Sequence, residues 1–261
     1  MRIQVSLSAF GEEASRLAAA WVAAGGEPDL ADPRGGFVRL QGWEEPGDRV
    51  LQVADALRAE YGSPIQRTRV ASWGPRDHDE ADLLGLTVGD GKRVLDPKSY
   101  QASPCATCGM PRRSTPVATG LALARKAAHE LDLVADGGFF LVSPRLGAAL
   151  QPLGVAALHP VGDGADYAWL APTEQLGLRE DGTTWGVPCP TCGTSRGTAP
   201  QNPLQGCATF ARGVWTGAPV VGEAMPVATL YVDQRVRTLL LDGDWRFPAG
   251  LVAFQPVRWA P

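Results

Sequence analysis

The sequence predicts an α+β protein. A small N-terminal α/β layer is followed by a tandem duplicated knuckle–strand–helix–strand unit, clasped by a four-cysteine zinc site. Three observations carry this. Strand-like and helix-like patterns alternate over residues 1–75, two Cys-x-Thr-Cys-Gly motifs stand far apart, and several sequence blocks recur in the same order.

In the N-terminal layer, Ile3, Val5 and Leu7 alternate as one face of a strand. Glu12–Ala24 follows with Leu17, Ala20, Trp21 and Ala24 at helical spacing, and Gly25-Gly26 supplies a C-terminal stop. Residues 36–40 read as a second strand. Asp48–Tyr61 reads as a second helix with Val50, Val53, Ala54 and Leu57 on one face, and Ile65–Trp73 as a third strand. The order is βαβαβ, with no glycine-rich phosphate loop between a strand and a helix, so no nucleotide site is expected there.

Residues 76–104 are polar and turn-rich, with a clear turn at Gly89-Asp90-Gly91, and read as a connection. His78 lies there among charged neighbours and reads as an exposed surface histidine.

The remainder, 105–261, carries the duplication, with copies at about 105–161 and 189–257. Cys105-Ala-Thr-Cys-Gly109 aligns without a gap to Cys189-Pro-Thr-Cys-Gly193, and the match runs on to Pro116 and Pro200. Phe140–Leu146 then matches Leu230–Val236, and Gly154–Val161 matches Gly250–Val257. The offset thus grows from 84 to 90 to 96 residues, which places two short insertions in the second copy. In each copy a strand (Phe139–Val142; Thr229–Val232) runs into a helix N-cap, Ser143 or Asp233, with Pro144 suited to the first helical position. Leu146, Ala149 and Leu150, and in the second copy Val236, Leu239 and Leu240, mark the buried face of a short helix. A turn at Gly154 or Gly250 leads to a closing strand ending in Pro-Val.

Five cysteines are too few for a disulfide scaffold, and four of them form the two pairs, leaving Cys207 over as a small apolar residue. Zn²⁺ takes four tetrahedral ligands, and one Cys-x-x-Cys knuckle supplies half of them. Cys105, Cys108, Cys189 and Cys192 together supply a closed, structural set. The sequence distance between the knuckles excludes a single-hairpin ribbon, so the two repeats must meet at the ion. A redox pair and plain structural cysteines are the competing readings. A redox Cys-x-x-Cys usually opens a helix, which Pro111, Pro116 and the Gly193–Gly197 run oppose.

No catalytic or cofactor-binding residues are assigned. The chain has no G-x-S-x-G elbow, H-E-x-x-H helix or phosphate loop, and no H-x-E precedes Pro188-Cys189 as a deaminase would need. His129 sits in a helical run, and His159 corresponds to Gln255, which suits a structural polar position. A net charge of −4 with 20% charged residues leaves no electrostatic footprint for nucleic acid. The N-terminus lacks a signal-peptide pattern, and no apolar run approaches the roughly 18 residues of a spanning helix. A cytoplasmic protein without a membrane span is expected.

The two Cys-x-Thr-Cys-Gly motifs, with the Val-Ser-x-Arg-Leu and Gly-Val-x-x-x-x-Pro-Val segments of Phe139–Val161, resemble the double-CXXCG motif proteins best known from myxobacteria. The resemblance covers about residues 100–261, and the chain departs from the family in its N-terminal extension. Some members are immunity proteins against lipoprotein toxins passed between kin cells. The resemblance implies a non-enzymatic zinc-containing binding protein that neutralises a cognate protein toxin. The alternative is a zinc-ribbon-like module for nucleic-acid or regulatory binding.

Overall fold

The computed structural model describes residues 1–26, 37–61, 66–89, 94–96, 105–109, 121–124, 130–136, 138–155, 157–162, 166–177, 184–185, 187, 189–191, 197–198, 204–205, 208–223, 229–248 and 252–260. Asp90, Gly91, His129, Cys192, Cys207 and Gly250, all singled out in the sequence, lie outside them. The protein is of mixed α/β type, with several sheets and few helices. It divides into two compact units, Met1–Asp77 with Ala199–Cys207, and His78–Thr198 with Ala208–Pro261.

The first unit follows the alternation of its sequence. Its elements are β1 (Arg2–Phe10), α1 (Glu12–Ala23), β2 (Phe37–Trp43), α2 (Arg49–Tyr61) and β3 (Gln66–Ser72). β1 is central and antiparallel to both β2 and β3, with Leu7 opposite Leu40 and Val5 opposite Arg69. A two-residue strand, Leu204–Gln205, extends the sheet by pairing parallel to β3.

Period-2 alternation puts Val5, Leu7, Ala9, Val38 and Leu40 on one face of this sheet. There they bury against Ala14 and Leu17 of α1 and Val50, Val53 and Leu57 of α2. Each fully buried aliphatic side chain contributes about 1.5–3 kcal/mol. Gly25 at φ +79 ends α1, and Gly26 passes so close to the Trp21 ring that a Cβ would lie 2.0 Å from it. Asp48 prepares α2, since its carboxylate accepts from Val50 N (2.8 Å) and Trp43 N (2.8 Å). One side chain thereby satisfies an orphan helix N–H and anchors the end of β2.

The stretch 76–104, expected as a connection, holds regular structure. α3 (Pro75–Glu80) is followed by β4 (Leu83–Val88), whose Leu83, Leu84, Leu86 and Val88 are all buried. Apolar side chains point to both faces of β4, so the strand lacks the alternation that makes a half-exposed strand legible. His78 is half-buried in α3, with its ring Nε2 3.1 Å from the carbonyl of Phe254, and is therefore not the exposed residue its neighbours suggested.

The second unit continues with β5 (Leu133–Asp136), β6 (Phe139–Val142), α4 (Pro144–Leu150), a 3₁₀ turn at Gln151–Leu153, β7 (Leu158–Pro160), β8 (Ala168–Leu170) and β9 (Glu174–Leu176). Short strands β10 (Thr184–Trp185), β11 (Gly197–Thr198), β12 (the Leu204–Gln205 strand of the first unit) and β13 (Thr209–Phe210) come next. The chain ends with β14 (Val220–Glu223), β15 (Leu230–Asp233), α5 (Gln234–Asp242), β16 (Val252–Pro256) and β17 (Arg258–Trp259).

Two sheets dominate, one ordered β5-β6-β8-β7 and the other β16-β4-β15-β14-β9. Between them and helices α4 and α5 lies a core that includes Leu86, Phe140, Val142, Leu146, Leu150, Val232, Val236 and Leu240. Both helices begin as their sequences predict. Ser143 Oγ accepts from Leu146 N (3.2 Å) with Pro144 in the first turn, and Asp233 Oδ1 accepts from Val236 N (3.0 Å). Gly154 closes the first helical segment at φ +85. Among the described residues no helix is long and apolar enough to cross a membrane.

Candidate metal centre

Three of the four predicted ligands come together. The ligand atoms of Cys105, Cys108 and Cys189 lie within 4.8 Å of one another, and Cys105 Sγ stands 3.9 Å from Cys189 Sγ. The first knuckle is a tight turn in which Gly109 N donates to Cys105 O at 2.7 Å. Gly109 closes it at φ +69, a conformation that an L-side chain would strain. Cys189 arrives from a stretch 84 residues further along the chain, with Pro190 and Thr191 turning beside it. Cys192 lies outside the described residues.

Thr107 and Thr191, the shared threonines of the two knuckles, join their hydroxyl oxygens at 2.7 Å. The sequence shows both threonines but not that they meet.

The geometry suits a thiolate-bound ion. Four sulfurs at about 2.3 Å from a tetrahedral centre are roughly 3.8 Å apart, close to the 3.9 Å separation of Cys105 and Cys189. Cys105 is 1% and Cys189 8% exposed, while Cys108 is half-buried, so the cluster sits mostly below the surface. Its described donors are all sulfur, a soft set that selects ions such as Zn²⁺ over hard, oxygen-seeking cations. The three residues can hold a metal ion.

A second polar centre was not visible in the sequence. Asp132, 5% exposed, gathers the start of α4. It accepts from Ser143 Oγ (2.6 Å), Arg145 Nη2 (2.6 Å) and Arg246 N (2.9 Å). Burial pushes its carboxyl up, but the Arg145, Arg246 and Ser143 donors more than offset this and hold it below the usual aspartate range. Arg145 also lies over the Trp245 ring at 4.8 Å. In the sequence Asp132 is one acidic residue among many, and only the fold supplies its three donors.

His159, expected as a structural polar residue, packs against Trp169 with ring centroids 5.3 Å apart. A pocket of about 240 Å³ is lined by Asp82, Arg212, Gly213, Trp215 and Trp259. Both indole N–H groups there are already used, by Ala218 O and Asp82 Oδ2. No family model matches the chain, and no curated protein is detectably similar to it.

Proposed function

We propose that this chain is a zinc-containing binding protein whose metal is structural, held by Cys105, Cys108, Cys189 and Cys192, and whose partner is a cognate protein toxin that it neutralises. The three-thiol cluster carries the reading of the metal. A set made wholly of thiolates leaves Zn²⁺ no open position for water or substrate, so the ion serves folding and not chemistry. Cys192 completes the set because it stands to Cys189 in the second knuckle as Cys108 stands to Cys105 in the first. The two knuckles belong to corresponding places of a repeated knuckle–strand–helix–strand unit, and the ion clasps the two copies.

The partner is proposed from the resemblance of the two knuckles and the Phe139–Val161 segment to the double-CXXCG proteins. A non-enzymatic neutraliser acts by occupying a surface of its target, and needs a stable scaffold more than a reactive group. Metal analysis of purified protein should give one zinc per chain, and Cys192→Ser should lower it. Co-expression with the product of the adjacent gene should yield a complex that survives size exclusion and abolishes that product's toxicity. Failure of both co-purification and protection would sink the immunity reading and leave the metal reading standing.

A further inference from the structure

We infer that the second unit is an internal pseudo-dimer whose halves are interlocked by exchanging their leading strands, β4 for β8. The inference extends the repeat reading upstream of the knuckles and rests on strand pairing, not on the metal.

The sheet order β5-β6-β8-β7 has the same form as β14-β15-β4-β16. In the first, β8 from the later half lies between β6 and β7 of the earlier half. In the second, β4 from the earlier half lies between β15 and β16 of the later half. The registers agree residue by residue. Leu141 and Val142 face Trp169 and Ala168, while Tyr231 and Val232 face Gly85 and Leu84. Leu158, His159 and Pro160 face Leu170, Trp169 and Ala168, while Phe254, Gln255 and Pro256 face Leu86, Gly85 and Leu84. The correspondence of β4 with β8 therefore has the same 84-residue offset as the two knuckles.

Packing follows the same correspondence. Each half has its own outer core from matching positions, Val134, Leu141 and Val161 in one and Val221, Tyr231 and Val257 in the other. The shared core takes both members of the pairs Phe140/Leu230, Val142/Val232 and Leu146/Val236. Where two-fold partners meet, a residue at the axis touches its own counterpart. Cys105 meets Cys189 and Thr107 meets Thr191 in this way, so the metal cluster lies at the pseudo-two-fold axis.

The exchange is made specific by size. Tyr231 covers Gly85, where a Cβ would already stand 3.4 Å from Cε1 of the tyrosine. In the other sheet the small and large partners are reversed, with Leu141 beside Trp169. If β8 took the place of β4, Trp169 would fall on Tyr231. If β4 took the place of β8, Gly85 would leave a void beside Leu141. Each leading strand fits only the opposite half, which blocks self-pairing of a half with a copy of itself.

The test is a double-mutant cycle in the full chain with Trp169→Gly, Leu141→Tyr and both together, followed by thermal melting. Each single variant should melt below wild type, one from a void and the other from overpacking. The Tyr231 hydroxyl donates to Glu223, whose place in the other sheet is taken by Asp136, so the double variant recreates the Tyr231–Gly85 arrangement and should melt above Trp169→Gly alone. Additive losses would overturn the proposed equivalence. Gly85→Trp with and without Tyr231→Leu is the reciprocal cycle and should show the same sign of coupling. Both cycles are repeated after chelation. Coupling that survives metal removal supports the interlock whatever becomes of the zinc reading, and coupling that vanishes with the metal overturns it.

Discussion

Replacing Cys108 by serine separates the metal's contribution from that of packing. Cys105 and Cys189 are buried, so a serine at either would damage the interior as well as the ligand set. Cys108 is half-buried, and in metal-free protein Cys108→Ser should shift stability by no more than about 0.5 kcal/mol, as surface substitutions do. In metal-loaded protein the effect is one of linkage. An ion present at a hundred times its dissociation constant stabilises the fold by about 2.7 kcal/mol, and at a thousand times by about 4.1 kcal/mol. If losing one thiolate weakens binding about a hundredfold, roughly 2.7 kcal/mol is lost at saturation. For a unit of this size that corresponds to a fall in Tm of about 5–11 °C. The assay is paired thermal melting of wild type and Cys108→Ser, each with zinc and with chelator, alongside metal content per chain. The gap should be wide with zinc and should close with chelator. An equal gap under both conditions, or wild-type protein without bound metal, would refute the reasoning.

Three further outcomes follow from the described contacts. Asp132→Asn should destabilise the protein by about 1–3 kcal/mol at neutral pH by weakening the bonds to Arg145 and Arg246. Because the carboxyl of Asp132 is held below its ordinary range, its stabilisation is present above the unfolded-state value of about 3.9. That stabilisation is lost as pH falls through the lower folded-state value, so the gap between wild type and variant in urea melts should narrow in that acidic window. Asp233→Ala removes the N-cap of α5 and should cost about 1 kcal/mol in denaturant midpoint, also releasing Arg235, which pairs with that carboxylate. Leu17→Ala, at a fully buried position in the first unit, should cost about 2–5 kcal/mol and leave any metal content unchanged, since Cys105, Cys108 and Cys189 all belong to the other unit.

The legible parts of this fold are those with a local physical signature. The helices α1 and α2 announce themselves through Leu17 and Trp21, and through Val50, Val53 and Leu57, at helical spacing, and β1 through the alternation of Ile3, Val5 and Leu7. Ser143-Pro144 and Asp233 mark helix starts because capping needs only neighbours in sequence. The cysteine pairs are legible because ligand chemistry demands particular atoms. β4 was not legible, since burial on both faces erases alternation. Pairing partners were also hidden, because nothing in Leu83–Val88 names β15 and β16 as neighbours roughly 145 to 170 residues away. The Asp132 centre was hidden for a related reason: Ser143 and Arg145 lie 11 and 13 residues on, but the third donor lies 114 residues away and is a backbone N–H that carries no residue identity at all.

The proposed metal and the exchanged strands would hold the second unit together in different ways. A metal ion held by the cysteine cluster would join the knuckles at one point, and a chelator would remove it. The exchanged strands join the halves along two sheets, with β4 bonded on both edges and its Leu83, Leu84, Leu86 and Val88 buried. Extracting β4 would expose those four side chains, about 1.5–3 kcal/mol each, and break two ladders at once. The halves should therefore remain associated when the metal leaves, and loss of zinc should loosen the knuckles, ahead of the sheets. Hydrogen exchange decides between the alternatives. After chelation, the Gly109 amide that closes the first knuckle should lose protection while the amides of Leu84 and Leu86 keep theirs. Equal loss at all three positions would mean that the ion, and not the exchanged strands, is the joint between the halves.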